Sequence, residues 1–151
     1  MATVQASTVI RSPLDRVYAL AKDVERFPQF MPDLESVTVL ERTPAGTVTE
    51  WVGVVQGRRI RWIEEDVWDD DRHVCVFRQR SGDFDRYQGE WRFEAALEGT
   101  RTSLVVEFEL DIPLAGALLG NLLKILMRKN CESMLGALKA QLEGAPASEQ
   151  R

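Results

Sequence analysis

Between Ser36 and Asp111 apolar and polar residues alternate with a period of two, whereas the segments on either side repeat every three to four residues. The chain therefore reads as a run of strands framed by helical segments. Thr3 to Arg11 also alternates and is rich in β-branched residues, which predicts a first strand. In Ser12-Pro13-Leu14-Asp15, Ser12 is placed to cap a helix, Pro13 suits its first position and Asp15 sits near its positive end. Val17, Leu20 and Ala21 then share one helical face. A second short helix is expected over Val24 to Phe30, ending before Pro32.

Turn signals at Pro44-Ala45-Gly46, Gln56-Gly57, Asp69-Asp70-Asp71, Ser81-Gly82-Asp83 and Glu98-Gly99-Thr100 divide the central segment into strands. Connections this short exclude parallel crossovers, so six strands should follow the first as an antiparallel meander. Pro113 closes the sheet, and a long helix follows from about Ala115 to Glu143, with residues 144–151 expected as a flexible tail. The fold class is α+β: a curved seven-stranded antiparallel sheet wrapped around a long C-terminal helix, with two short helices after the first strand. Residues 1–143 should form a single domain. A sheet with one apolar face must cover it, and the long helix is the element large enough to do so. On that helix Leu119, Leu123, Leu126, Asn130, Met134 and Leu138 fall near one face. Tyr87, Gly89, Trp91 and Phe93, and then Leu104, Val106, Phe108 and Leu110, mark the inward side of the last strands.

The composition narrows function. With 151 residues, 44% hydrophobic and 28% charged, the chain can bury one core. A net charge of -5 argues against nucleic acid as a partner, and the basic residues of Gly57-Arg58-Arg59-Ile60-Arg61 alternate with apolar ones like the solvated face of a strand. Met1 to Ile10 lacks a secretory pattern and no apolar run reaches a membrane-span length, so a cytoplasmic location is expected. The nearest candidate span, Leu114 to Met127, is interrupted by Asn121 and Lys124. Cys75 and Cys131 are expected as small buried apolar groups. His73 is the single histidine, beside an acidic turn and expected at an exposed hairpin end, and glycine-rich phosphate loops are absent, so neither a metal nor a cofactor is expected.

Glu64 and Asp66 are the candidate acid/base groups. Two residues apart on a strand, they share a face with Ile60, Trp62 and Trp68, which turns at least one carboxyl toward the interior or its rim. Burial would raise its pKa into a useful range. The alternative is a cross-strand ion pair of Glu64 with Arg78; a register shifted by one sets Phe77 and Gln79 opposite the two carboxyls. Trp51, Trp62, Phe77, Phe84, Tyr87 and Trp91 read either as core or as the lining of a ligand cavity. Tyr87 is a third acid/base candidate. Asn130, on an apolar helix face, must find hydrogen bonds from a ligand, the sheet or water. The segment from Leu114 to Met127 is more apolar than one covered face requires, which leaves a cavity mouth, a homodimer contact, a transient membrane contact or a protein partner as readings.

The runs Ser12-Pro13-Leu14-Asp15-Arg16-Val17-Tyr18, Asp23-Val24-Glu25-Arg26-Phe27-Pro28-Gln29-Phe30-Met31-Pro32, Gly82-Asp83-Phe84 with Gly89-Glu90-Trp91-Arg92-Phe93, and Asn130-Cys131-Glu132-Ser133-Met134-Leu135 resemble the START-like (SRPBCC) superfamily. Within it the likeness is to the polyketide cyclase/dehydrase family, which includes aromatase/cyclases and ubiquinone-binding START proteins. The resemblance implies a helix-grip fold with a hydrophobic small-molecule ligand held between the concave sheet, the region of Phe27, Phe30 and Met31, and helix residues Leu123, Asn130 and Met134. Aligned through Arg61-Trp62-Ile63, the position of the aromatase/cyclases' proposed catalytic arginine is Asp66 here, and that of their pocket tyrosine is Leu34. Three activities fit this scaffold: binding or transport of a lipid, quinone or polyketide-like molecule; a polyketide cyclase or dehydratase; and a protein-interaction module.

Overall fold

A computed structural model describes residues 1–55, 57–110 and 116–149, with side chains described outside 116–120 and 145–149. The chain runs through strand β1 (Ala2–Ile10), helix α1 (Leu14–Lys22), a 3-10 turn (Val24–Gln29), strands β2 (Leu34–Arg42), β3 (Gly46–Val55), β4 (Arg58–Asp69), β5 (Val74–Gly82), β6 (Arg86–Ala96) and β7 (Gly99–Glu109), and helix α2 (Gly116–Glu149). The seven strands form one antiparallel sheet in the order β1-β7-β6-β5-β4-β3-β2. The expected meander is therefore present, and β1 joins it beside β7, so α1 and the 3-10 turn carry the chain from one edge of the sheet to the other.

Alternation decides which side is covered. Tyr87, Trp91 and Phe93 on β6 and Leu104, Val106 and Phe108 on β7 face the core together with Ile60 and Trp62 on β4. Helix α2 closes this face with Cys131, Leu135, Leu138 and Leu142, which are buried, and with Leu123, Met127 and Met134, which are partly buried. The inner stripe thus passes through Met127 rather than Leu126, and Leu119 lies outside the described side chains. The C-terminal part of α2 is tied to β1: Lys139 Nζ donates to the Val9 carbonyl at 2.7 Å, and the Arg11 N–H donates to Glu143 at 2.9 Å. The helix assignment extends past the expected end at Glu143 to Glu149.

Two local expectations need correction. Ser12 does not cap α1. Pro13 occupies the cap position without a side-chain hydrogen bond, and the Ser12 hydroxyl is buried without a partner while its carbonyl accepts from Thr100 at 2.8 Å. Pro13 is itself extended, at ψ 149°, so it takes the cap position and the first helical position is Leu14. His73 is half-buried rather than fully exposed, in a left-handed turn at φ 56°, with its ring edge-on to Tyr18 at 4.8 Å. The Tyr18 hydroxyl donates to Asp70 at 2.6 Å and Lys22 Nζ donates to the same oxygen at 2.9 Å, clamping the β4–β5 turn onto α1.

Glycines give opposite expectations at two sites. A β-carbon on Gly89 would collide with the Val105 carbonyl and lie 2.7 Å from Phe77 Cζ, whereas one on Gly136 of α2 meets nothing within 4 Å. Gly89→Ala should lower unfolding free energy by about 1–3 kcal/mol, and Gly136→Ala should raise it by about 0.5–1 kcal/mol. Urea unfolding of both variants beside the parent chain reads the two signs directly.

Candidate functional site

Side chains from the middle of the sheet converge under α2. Trp51 and Trp62, paired across β3 and β4, stack with ring centres 6.0 Å apart. Tyr87 from β6 lies 5.0 Å from Trp62 and 5.5 Å from Phe77, and stacks on Phe84 at 4.6 Å. Gly89 is what lets the Phe77 ring lie against β6, since any side chain there would occupy its place.

These rings enclose two adjoining cavities. The inner one is lined by Leu34, Trp51, Trp62, Glu64, Phe77, Tyr87, Trp91, Leu104 and Val106 from the sheet and by Asn130, Cys131 and Met134 from α2. The outer one is lined by Asp33, Leu34, Gly53, Val55, Ile60, Trp62, Phe84, Tyr87, Met127 and Asn130. Leu34, Trp62, Tyr87 and Asn130 border both and so form the partition between them. Each cavity has a volume of ≈ 30 Å³, room for about one or two waters.

Of the residues expected to line a ligand site, Trp51, Trp62, Phe77, Tyr87, Trp91, Asn130 and Met134 meet at the inner cavity and Phe84 at the outer one. Phe27 and Met31 are buried in the core, Phe30 and Leu123 pack against it, and none of these four borders either cavity. Leu34, at the position the resemblance gives to a pocket tyrosine, borders both cavities, whereas Ile60, Met127 and Cys131 were not named as lining residues. Their inward alternation on β2 and β4, or the corrected α2 stripe, is the signal that carries them. On the outer side of α2, Leu122 and Ile125 are exposed, while Leu118 lies outside the described side chains.

Glu64 and Asp66 both point inward, 4% and 5% exposed. From the β4–β5 turn the register runs unbroken to Glu64, setting Phe77 opposite Asp66, Arg78 opposite Glu65 and Gln79 opposite Glu64; a β-bulge follows between Glu64 and Ile63. The expected alternative of a Glu64–Arg78 ion pair is therefore excluded. The ion pair on this stretch joins Glu65 to Arg80 at 3.0 Å on the outer face. Glu64 Oε1 accepts from Trp62 Nε1 at 2.7 Å, and Asp66 Oδ2 accepts from Thr49 at 2.6 Å and Thr47 at 3.1 Å. Trp51 Nε1 donates to the Thr49 hydroxyl at 2.7 Å, which orients it. Glu64 borders the inner cavity and Asp66 sits behind it.

Burial, and then the hydrogen bond to and negative charge of Asp66, hold the Glu64 carboxyl well above the ordinary carboxylate range. Burial likewise raises the Tyr87 hydroxyl well above its usual value and pushes the Cys131 thiol up to about 12. The cavity therefore presents a phenol, a thiol and a carboxyl whose burial favours the protonated form. Among the described residues, neither the Tyr87 hydroxyl nor the Asn130 amide makes a side-chain hydrogen bond. The described residues contain no group of His, Cys, Asp and Glu that could hold a metal ion.

The Glu64 proton has a stability consequence whose sign is fixed. Its folded pKa lies above the unfolded value, so its contribution is fully present below about 4.5 and is lost as pH rises toward the folded value. Within that window each pH unit costs up to about 1.4 kcal/mol. Glu64→Gln removes this term. The expected result is a melting temperature that falls less between pH 5 and pH 9 in the variant than in the parent chain, measured by calorimetry.

The described residues contain no helix long and apolar enough to cross a membrane. The fold matches that of TTHA0849 from Thermus thermophilus, with a TM-score of 0.91, 42% identity and coverage of 95% of this chain and 99% of that one. It also matches the Zhui aromatase/cyclase from Streptomyces sp. R1128, with a TM-score of 0.87, 21% identity and coverage of 94% and 93%. A START superfamily protein from Mycobacterium smegmatis follows the same fold, with a TM-score of 0.81, 17% identity and coverage of 95% and 98%. The START-like helix-grip architecture expected from the sequence is thus the one observed. Residues 10–139 match the family described as polyketide cyclase / dehydrase and lipid transport. The chain belongs to that polyketide cyclase/dehydrase and lipid-transport family.

Proposed function

We propose that the protein binds an apolar, ring-bearing small molecule in the space between the sheet and α2, with Tyr87 and Asn130 orienting one polar group of the ligand. The observation that carries this reading is the pairing of an aromatic wall with two polar side chains that lack partners where the two cavities meet. Apolar burial contributes roughly 25 cal/mol per Å² of area removed from water, and each hydrogen bond adds about 0.5–1.5 kcal/mol. Each cavity alone is too small for a ring, so binding displaces the Tyr87 and Asn130 side chains and joins the two spaces. Met127 and Met134, unbranched and adaptable, can repack around the occupant.

A second reading is a cyclase or dehydratase, favoured by one observation: Glu64 borders the cavity with its carboxyl held above the ordinary range by burial, the direction a general acid requires. In that reading Glu64 gives a proton to a substrate oxygen and takes one back from water after product leaves, and the aromatic wall imposes the fold of the substrate chain.

Trp51, Trp62 and Trp91 border the inner cavity and report its occupancy. Titration with neutral acetylnaphthalene should quench tryptophan emission to saturation at one ligand per chain. Tyr87→Phe and Asn130→Ala should each weaken binding about three- to tenfold, and Leu122→Ser on the outer side of α2 should leave it unchanged. No saturable quenching, together with an organic-solvent extract of the native protein that holds no small molecule by mass spectrometry, would refute the binding reading. Glu64→Gln separates the two readings, since a carrier keeps its affinity whereas an enzyme loses turnover.

A further inference from the structure

The charge balance of the cavity wall is one-sided. Neither cavity is lined by a Lys, Arg or His among the described residues, whereas Glu64 borders the inner cavity and Asp33 the outer one. Behind Glu64, Asp66 is held by hydroxyl groups of Thr47 and Thr49 and not by a cation. The arginines of this region lie on the other side of the sheet, Arg61 bound to Glu50 at 2.7 Å, Arg80 bound to Glu65 at 3.0 Å and Arg78 exposed. The ionisable groups facing the pair are Cys75 from β5, Tyr87 from β6 and Cys131 from α2, and each is neutral when protonated. Lys22 of α1 is bound to Asp70 at the β4–β5 turn.

Resting on the binding reading above, we propose that the Glu64–Asp66 carboxyl pair is a charge filter that admits a neutral ring carrying a ketone-type oxygen and bars the same ring carrying a carboxylate. Glu64 lies between the cavity and the Asp66 charge. A ketone oxygen accepts from Tyr87 and Asn130 and adds no charge. A carboxylate brings a second negative charge into a low-dielectric space with no cation to receive it, and repulsion across a few ångströms there weakens binding roughly 10- to 100-fold.

The test uses the full chain at pH 8 with two probes of one shape, acetylnaphthalene and naphthoate, read by calorimetry. The ketone should bind at least about tenfold tighter than the carboxylate. Asp66→Asn keeps acceptor capacity toward Thr49, and it should narrow that gap to about threefold by raising naphthoate affinity. Leu34→Lys places a cation in the partition and should reverse the preference, so the filter remains testable if the Asp66 variant fails to fold. Equal binding of the two probes by the parent chain, or an unchanged gap in folded Asp66→Asn, would overturn the filter while leaving ligand binding intact. Failure of both probes to bind would refute the binding reading itself. Tightest binding by naphthylmethylammonium with release of a proton would also overturn the proposal, because the pair would then be a cation site.

Discussion

One helix has to cover the apolar face of seven strands. At about 4.8 Å between neighbours the outer strands of a flat sheet would stand about 29 Å apart, while a helix with its side chains is about 10 Å wide. The sheet must curl around the helix, and long side chains must fill what the helix leaves open. This is why Trp51, Trp62, Phe77, Tyr87 and Trp91 rise from neighbouring strands toward α2. Lys139 and Glu143 fix the C-terminal part of the helix against β1, where Leu135, Leu138 and Leu142 pack closely. The cavities lie farther toward its N-terminus, at Met127, Asn130 and Met134, where the helix no longer rests directly on the sheet.

Within this apolar filling, Glu64 and Asp66 are the exception. Two carboxyls in a low-dielectric interior are costly unless they share a proton and satisfy their oxygens. Trp62 serves one oxygen, Thr47 and Thr49 serve another, and Trp51 orients the Thr49 hydroxyl. Four polar side chains on two adjacent strands are thus organised around the pair. Apolar residues of similar volume would fill the same space without that support, so the exception points to the cavity that Glu64 borders.

Much of this was legible before the structure. The turn signals located all five hairpins of the meander, and alternation placed Tyr87, Trp91, Leu104 and Val106 inward, because sheet periodicity is a local property. Register is not local. Whether Glu64 meets Arg78 or Gln79 turns on how many residues the β4–β5 turn takes up between Asp69 and Val74, which no single-strand pattern announces. The helical stripe holds at Leu123, Asn130, Met134 and Leu138 and differs at one turn, where Met127 rather than the equally apolar Leu126 packs inward. Phe27, Phe30 and Met31 looked like ligand contacts because they are large and apolar, but the 3-10 turn directs them into the core short of the cavities. The partition made by Leu34, Trp62, Tyr87 and Asn130 joins residues from three strands and a helix and could be found only in three dimensions.

That partition also bears on what the cavity prefers. To join the two spaces, Tyr87 must give up its stacking on Phe84 and its tilted contact with Trp62, each worth about 0.5–1.5 kcal/mol beyond area burial. A flat ring that enters between the same partners restores those contacts as it opens the space, whereas an acyl chain restores the buried area but not the ring geometry. In the proposed binding reading the Tyr87 hydroxyl and Asn130 amide reinforce the bias, since both can bond an acceptor placed at the partition. Under the proposed binding reading, aromatic stacking and acceptor placement therefore favour a ring with an oxygen at its edge over a simple lipid tail of equal area.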